Sequence, residues 1–201
     1  MTTPTSRPRG GRSRVTSHSE LTHVALTLFF ERGFDQTTVD DIVSAAGIGR
    51  RTFFRYFSSK NDLPWGEFDA LLERMRQHFA CMPPDLALSE ALRQAILEFN
   101  RYPDDELHYH RERMWLLLNV PSLVAHSTLR YAAWRQVVAD YVAQRWDEPA
   151  DALGPQAVAG ACLGLCLAAY DRWLCDEDSD LVVLLDESFA QLSSLFADQP
   201  V

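Results

Sequence analysis

The stretch Thr37 to Lys60, TTVDDIVSAAGIGRRTFFRYFSSK, restricts the folds open to this chain more than any other. Val39, Ile42, Val43 and Ala46 fall on one face of a short helix, the spacing of a buried stripe. Thr38 with Asp41 three residues on is a capping-box pattern at its start. Gly47 stands where a helix ends on a left-handed residue, a conformation a Cβ makes costly. A second helix is predicted from about Arg50 to Phe57. Phe53 and Phe57, four apart, reach Ile42, Ala46 and Ile48, and this turns Arg50, Arg51, Thr52, Arg55 and Tyr56 outward. A face of arginines, a hydroxyl and a phenol suits a helix that lies in the major groove of DNA. The pattern is a helix-turn-helix.

Its surroundings fit. His18 to Arg32 reads as a clamping helix, with a Ser17/Glu20 capping box, an inner stripe of Leu21, Val24, Ala25, Leu28 and Phe29, and a stop at Gly33. Before it, residues 1–16 mix Arg7, Arg9, Arg12 and Arg14 with Pro, Gly and Ser, the composition of a disordered basic arm that can lie on phosphates or remain a solvated tail. After it, Ser58 or Ser59 is expected to cap one fourth helix reaching Cys81, with Pro64 distorting it early. Lys60, the only lysine in the chain, falls in its first turn, where a phosphate is favoured.

From 63 onward the pattern is helical throughout. Leu88–Tyr102 (behind Ser89), Asp104–Asn119, Pro121–Asp147, Gly154–Cys175 and Asp180–Ala197 are the predicted segments, without strand-like alternation or repeat. Gly160, Ala161, Gly164, Ala168 and Ala169 allow close helix approach. With Leu181, Val182, Leu185, Phe189 and Leu192 they suit a four-helix bundle formed by two copies of the chain, or the core of one. The fold class is all-α, with about nine helices: a basic arm at 1–16, a three-helix helix-turn-helix domain at 17–62, and a helical effector-binding and dimerisation domain at 63–201.

The net charge of −9 would argue against nucleic acid if it were uniform. It is not: residues 1–62 hold nine Lys/Arg against six Asp/Glu, and residues 63–201 hold ten against twenty-two, so a basic head sits on an acidic body. Cys81, Cys162, Cys166 and Cys175 lack a C-x-x-C spacing and suit reduced thiols in a cytoplasm. The longest uncharged apolar run, Ala157 to Tyr170, is 14 residues, short for a bilayer.

No cofactor or metal is expected. Glu106, His108, His110 and Glu112 form two separate i,i+4 pairs on different helix faces, which is not a metal site. An enzyme is the least favoured class: the single Glu-x-x-His, Glu20 to His23, is half of what a di-iron bundle needs, and no nucleophile or phosphate-loop motif is present. A helical ligand-binding or scaffold protein without DNA remains the alternative, against which the basic head stands. The body's surplus of large side chains suits core packing and also an apolar cavity, with Arg111, Arg113, Arg130 and Arg135 placed to meet an anionic head group.

GFDQTTVDDIVSAAGIGRRTFFRYFSSKNDL resembles the N-terminal signature of TetR-type transcriptional regulators, over roughly residues 17–70. NDLPWGEFDALLERMR and YHRERMWLLLNVPSLVAHSTLRYAAWR resemble the TetR-type regulators of mycofactocin gene clusters. The resemblance implies a homodimeric repressor, joined through helices around 154–175 and 180–197, on a palindromic double-stranded DNA operator. It implies release by a small apolar or amphipathic effector, with acyl-CoA thioesters the class associated with the mycofactocin type. Carried onto this chain, Thr37, Thr38, Tyr56 and Lys60 would hold phosphates, and Arg50, Arg51 and Thr52, with Phe54 or Arg55, would read bases. Gly49 departs from the serine or threonine usual at its position. The effector pocket would draw on Phe68, Phe99, Tyr102, Arg113, Met114, Leu117, Tyr131, Trp134, Arg135, Tyr170 and Trp173.

Overall fold

The structure, a computed structural model, describes residues 17–197; the expected arm lies outside them. The regular structure of the described residues is all helical, with nine α-helices, one 3₁₀ segment and no strand. They fall into two compact units, one ending at Gly66 and the other beginning at Glu67.

The first unit holds α1 (His18–Arg32), α2 (Val39–Ala46) and α3 (Arg50–Tyr56). Both capping boxes form. The Ser17 hydroxyl accepts from the Glu20 N–H at 3.1 Å while the Glu20 carboxylate accepts from the Ser17 N–H at 3.1 Å. Thr38 and Asp41 do the same at 3.2 and 2.9 Å. Each satisfies donors that a helix start leaves without partners, worth about 1 kcal/mol. Gly47 ends α2 at φ 68°, ψ 29°, and the next N–H, of Ile48, reaches back to the Val43 carbonyl at 3.0 Å. Leu21, Phe29, Phe34, Ile42, Phe53 and Phe57 are all buried and make the core. Each such side chain contributes about 1.5–3 kcal/mol by leaving water. On α1 the inner face differs slightly from the predicted stripe: Leu26 is fully buried, and Val24 is only half-buried.

The single helix predicted from Ser58/Ser59 to Cys81 is two segments. A 3₁₀ helix runs over Lys60–Trp65, Gly66 takes φ 54°, ψ −133°, and α4 (Phe68–Ala80) starts afresh. Pro64 has no N–H to continue an α-helical ladder, and a positive φ at Gly66 breaks whatever remains.

The second unit comprises α4, α5 (Leu88–Phe99), α6 (Asp104–Asn119), α7 (Pro121–Trp146), α8 (Leu153–Cys175) and α9 (Leu181–Ala197). The α5 helix begins one residue before Ser89, which therefore does not cap it. Proline opens α7 at the position where its missing N–H costs nothing. The core joins Trp134, Val138 and Val142 of α7, Ala159, Cys162, Cys166 and Ala169 of α8, and Leu181, Leu185 and Phe189 of α9.

At 23 residues, α8 is much longer than the uncharged run inside it, and by length and composition alone it could cross a membrane. It lies against both α7 and α9. Its other face, Leu153, Ala157, Ala161, Gly164 and Ala168, is exposed, Leu153 at 86%.

Candidate nucleic-acid interface and effector site

Phe53 and Phe57 anchor α3 in the first unit's core, and this fixes which of its residues face out. The three arginines are differently placed. Arg50 lies against Asp40 of α2, with Nη1 donating to both carboxylate oxygens at 3.1 and 3.2 Å. Both side chains are more than half exposed, so the pair contributes at most about 1 kcal/mol and a phosphate or base edge can compete for it. Arg55 lies over the Tyr56 ring at 4.9 Å and donates to its hydroxyl at 3.1 Å. Arg51 is exposed beside the half-buried Thr52. Phe54 is 49% exposed, its inner edge on Phe53 at 5.1 Å. Arg51, Thr52, Phe54 and Arg55 border one surface hollow of about 420 Å³. Guanidinium donors and an apolar ring beside each other can meet guanine acceptors and a thymine methyl. Gly49 precedes α3 in an extended conformation and gives it no side-chain cap.

Thr37 requires a correction. It is fully buried, and its hydroxyl donates to the Gly33 and Leu28 carbonyls at 2.8 and 3.3 Å, so it holds the α1–α2 loop and does not present a hydroxyl to a phosphate. Thr38 is exposed, but its hydroxyl is shared with Asp41. The hydrogen bonds from Thr38 hold the Asp41 carboxyl below the usual carboxylate range.

Lys60 is not the open ammonium that the sequence suggested. Its Nζ donates to the carbonyls of Phe34 at 2.7 Å and Thr37 at 2.9 Å, with Asp35 at 3.4 Å, and sits 4.5 Å from the Phe34 ring centroid. Partial burial lowers its pKa below the ordinary lysine value, and the Asp35 carboxylate opposes that.

In the second unit a groove of about 590 Å³ runs between α4 and α5. Leu71, Met75, Ala95 and Phe99 give it apolar walls, and Arg74, His78, Arg101 and Tyr102 are its polar edge. A second groove, of about 850 Å³, is lined by Tyr102, Leu107, Arg111, Trp173 and the 177–183 segment. Of the residues proposed from sequence, Phe99 and Tyr102 line the first groove, and Tyr102 and Trp173 the second. Phe68, Met114, Leu117, Trp134 and Tyr170 are buried, and Phe68, Phe99 and Trp134 form a chain of ring contacts near 6 Å. Arg113, Tyr131 and Arg135 are half-buried.

Two of the four arginines considered for a head group have other work. Arg111 lies 4.1 Å over the Trp173 ring and donates to the Trp173 and Asp176 carbonyls, closing the end of α8. Arg130 pairs with Asp69 at 3.0 Å.

Sequence reasoning missed a buried polar chain. The Asn100 amide donates to the Ile96 carbonyl at 2.7 Å, the Tyr170 hydroxyl donates to Asn100 Oδ1 at 2.6 Å, and His110 Nε2 lies 2.9 Å from the same hydroxyl. Tyr102 stacks on the imidazole at 3.9 Å and 22°. Burial, and then the Arg113 charge, push the His110 pKa well below 6.5. Burial pushes the Tyr170 phenol well above its ordinary value. His108 contacts Glu112 at 3.2 Å on the helix surface, away from His110 in the interior. Nothing local marks these partners, which lie 60 and 70 residues apart; the sole signal was a histidine on the apolar side of α6.

Comparison with known proteins gives these two units relatives. The profile of bacterial regulatory proteins of the tetR family matches residues 21–63, and that of the MftR C-terminal domain matches residues 86–197. The chain is 42% identical over 181 residues to a Mycobacterium tuberculosis protein named as the mycofactocin biosynthesis transcriptional regulator MftR, covering 90% of this chain and 91% of that one. Its fold is similar to that of a TetR-family transcriptional regulator from Syntrophomonas wolfei, with TM-score 0.66, 12% identity, and 92% and 96% of the two chains covered. It is also similar to Thermus thermophilus FadR in complex with lauroyl-CoA, with TM-score 0.56, 19% identity, and 92% and 97% covered.

Proposed function

Because this chain belongs to the TetR family of bacterial regulatory proteins and carries an MftR type of C-terminal domain, we propose that it is a transcriptional repressor whose α3 reads a palindromic operator. The observation that carries the reading is the outward face of α3, where Arg51, Phe54 and Arg55 are exposed together on a helix anchored from behind by Phe53 and Phe57. Arg51 and Thr52 read bases, with Phe54 against a thymine methyl and Arg50 joining them when it leaves Asp40. Thr38, Tyr56 and Arg55 set the register on phosphates. Lys60 acts from behind, by holding the loop that precedes α2.

The repressor works in the cytoplasm as a homodimer through α8 and α9. The exposed stripe Leu153, Ala157, Ala161, Gly164 and Ala168 is apolar and mostly small, and a Cβ placed at Gly160 or Gly164 would meet nothing within 4 Å. That is a face suited to close approach by a second helix. Two-fold pairing then sets two α3 helices at half-sites one helical turn or a multiple apart.

The effector is an amphiphile of the long-chain acyl-CoA type, bound along the apolar groove between α4 and α5 with Arg74 and Arg101 at its edge. It lowers operator affinity by binding better to the form of the dimer that does not fit the half-site spacing. Fluorescence anisotropy on the DNA upstream of the protein's own gene tests this, with oleoyl-CoA, free CoA and oleic acid added in turn. Release by the thioester alone is the expected result. Tight binding that none of the three weakens removes the acyl-CoA effector and keeps the repressor.

A further inference from the structure

The hydrogen-bond chain around Tyr170 fixes the protonation of His110. The Asn100 amide nitrogen is committed to the Ile96 carbonyl, so its oxygen faces Tyr170, and an amide oxygen can only accept. The Tyr170 hydroxyl must therefore give its one proton to Asn100. The 2.9 Å contact to His110 is then satisfied only if Nε2 carries the proton and donates. The imidazole is neutral, as its burial among Tyr102, Tyr170 and Trp173 also favours, and its Nδ1 is a bare lone pair.

That lone pair has no hydrogen-bond partner, in a residue only 2% exposed. Native proteins rarely leave such an acceptor empty. A second atom nearby is left in the same way: Arg113 Nε is buried without an acceptor. Arg113 follows His110 by three residues on α6, which makes their side chains neighbours on the helix, and its charge acts on Tyr102, His110 and Tyr170, so it belongs to the same cluster. Tyr102 is where this cluster meets the surface, because its ring both covers the His110 imidazole and lines the apolar groove between α4 and α5.

We propose that His110 Nδ1 and Arg113 Nε form the polar end of the effector site, and that the effector's polar group pairs a carbonyl acceptor with an N–H or O–H donor, as a carboxamide does. The carbonyl accepts from Arg113, the donor occupies the His110 lone pair, and the apolar chain runs into the groove once Tyr102 turns aside. A simple ester or thioester carbonyl satisfies Arg113 and leaves His110 empty; in a coenzyme-A thioester, the amide and hydroxyl groups of the pantetheine arm are the nearest groups that supply the donor. The inference rests on the effector reading of the α4–α5 groove and specifies the chemistry that groove selects.

The test uses the full chain and two probes that share the acyl chain and a carbonyl acceptor while only the first has a donor, oleamide and methyl oleate, titrated by calorimetry, with oleic acid and oleoyl-CoA alongside. Oleamide is expected to bind the parent protein at least about tenfold more tightly than methyl oleate, a difference of about 1.4 kcal/mol. In His110→Phe, which keeps an aromatic ring and removes the acceptor, the two probes should bind alike while operator affinity without ligand stays at the parental value. Should that variant fail to fold, ¹⁵N-histidine NMR on the parent replaces it: the His110 Nδ1 signal should move on adding oleamide and stay still with methyl oleate. Equal binding of both probes to the parent, or a preference that survives in His110→Phe, or an Nδ1 signal that ignores oleamide, overturns the proposal and leaves the effector groove standing. If none of the four compounds binds, the groove itself loses the effector role and the proposal falls with it.

Discussion

Replacing Lys60 with methionine separates two roles that the same position could play. Methionine keeps an unbranched apolar stem and removes the ammonium. In the folded chain that ammonium donates to two buried residues' carbonyls, Phe34 at 2.7 Å and Thr37 at 2.9 Å, and a third at 3.4 Å is too long to count for much. A hydrogen bond from a charged group contributes about 1.5–3 kcal/mol. Water can reach a half-buried site and take over part of the bonding, so the sum over both bonds should be cut to about 2 kcal/mol. For a chain of this size that is a fall in Tm of about 4–8 °C, read by circular dichroism at matched concentration. If the ammonium is committed in this way, the salt dependence of operator binding should hardly change. A phosphate contact behaves in the opposite manner: stability stays within a degree of the parent, and the slope of log K against log salt falls by about 0.9 per contact, so by about 1.8 for a dimer. That second pattern would refute the clamp and return Lys60 to the DNA surface.

Other perturbations follow from the same geometry. Arg51→Ala should weaken operator binding by about 1–3 kcal/mol at particular base pairs, seen as a relaxed preference in sequence selection; equal weakening on every sequence would make Arg51 a phosphate contact. Gly49→Ser should stabilise the chain by about 0.5–1 kcal/mol in urea unfolding, because the site is extended, open to a Cβ, and lacks a cap for α3. Tyr170→Phe removes the hydroxyl that joins Asn100 to His110 and leaves two buried polar groups without partners, so it should cost about 2–4 kcal/mol in the same assay, against near-neutrality if the hydroxyl were idle. Stability should also depend on pH through His110. The unfolded chain takes up a proton near the ordinary 6.5 and the folded chain resists it, so stability falls as the pH drops below about 6.5, by up to about 1.4 kcal/mol per unit. His110→Phe should lose that part of the slope.

What could be read from sequence and what could not divide along the range of the interactions. The Ser17/Glu20 and Thr38/Asp41 boxes, the left-handed Gly47 and the Phe53/Phe57 anchor are settled within a few residues by capping, steric and periodicity rules, and all are present in the structure. Pro64 was legible only as a distortion of one helix, which the positive φ at Gly66 turns into a break. The bounds of α6 and α7 were legible for the same reason: an acidic start for one and a proline at the first position of the other. Thr37 and Lys60 are of another kind. Both residue types are right for a phosphate, but the α1–α2 loop turns its carbonyls inward, and a hydroxyl and an ammonium were needed to satisfy them. Residue type and position cannot distinguish those uses, because the deciding partners, Phe34 for Lys60 and Leu28 for Thr37, are placed by the fold.

The same logic explains why the buried cluster around His110 was illegible. His110 entered the sequence reading as half of a possible i,i+4 pair, and its interior partners, Tyr102, Tyr170 and Asn100, lie on segments that only the tertiary fold brings together. What makes the position informative is a defect in the bonding, since a saturated His110 would be one more core residue. A chain that carries a bare acceptor in its interior bears a standing cost of about 1–3 kcal/mol, which nothing in the unit's own packing returns. A ligand that fills it in one form of the protein and not in the other would shift the balance between the two forms by up to a comparable amount. That is about a tenfold change in operator affinity for each 1.4 kcal/mol, and twice the free energy when both subunits of a dimer are filled. An unfilled hydrogen bond buried behind Tyr102 would thus be large enough to serve as the energy source of the proposed switch.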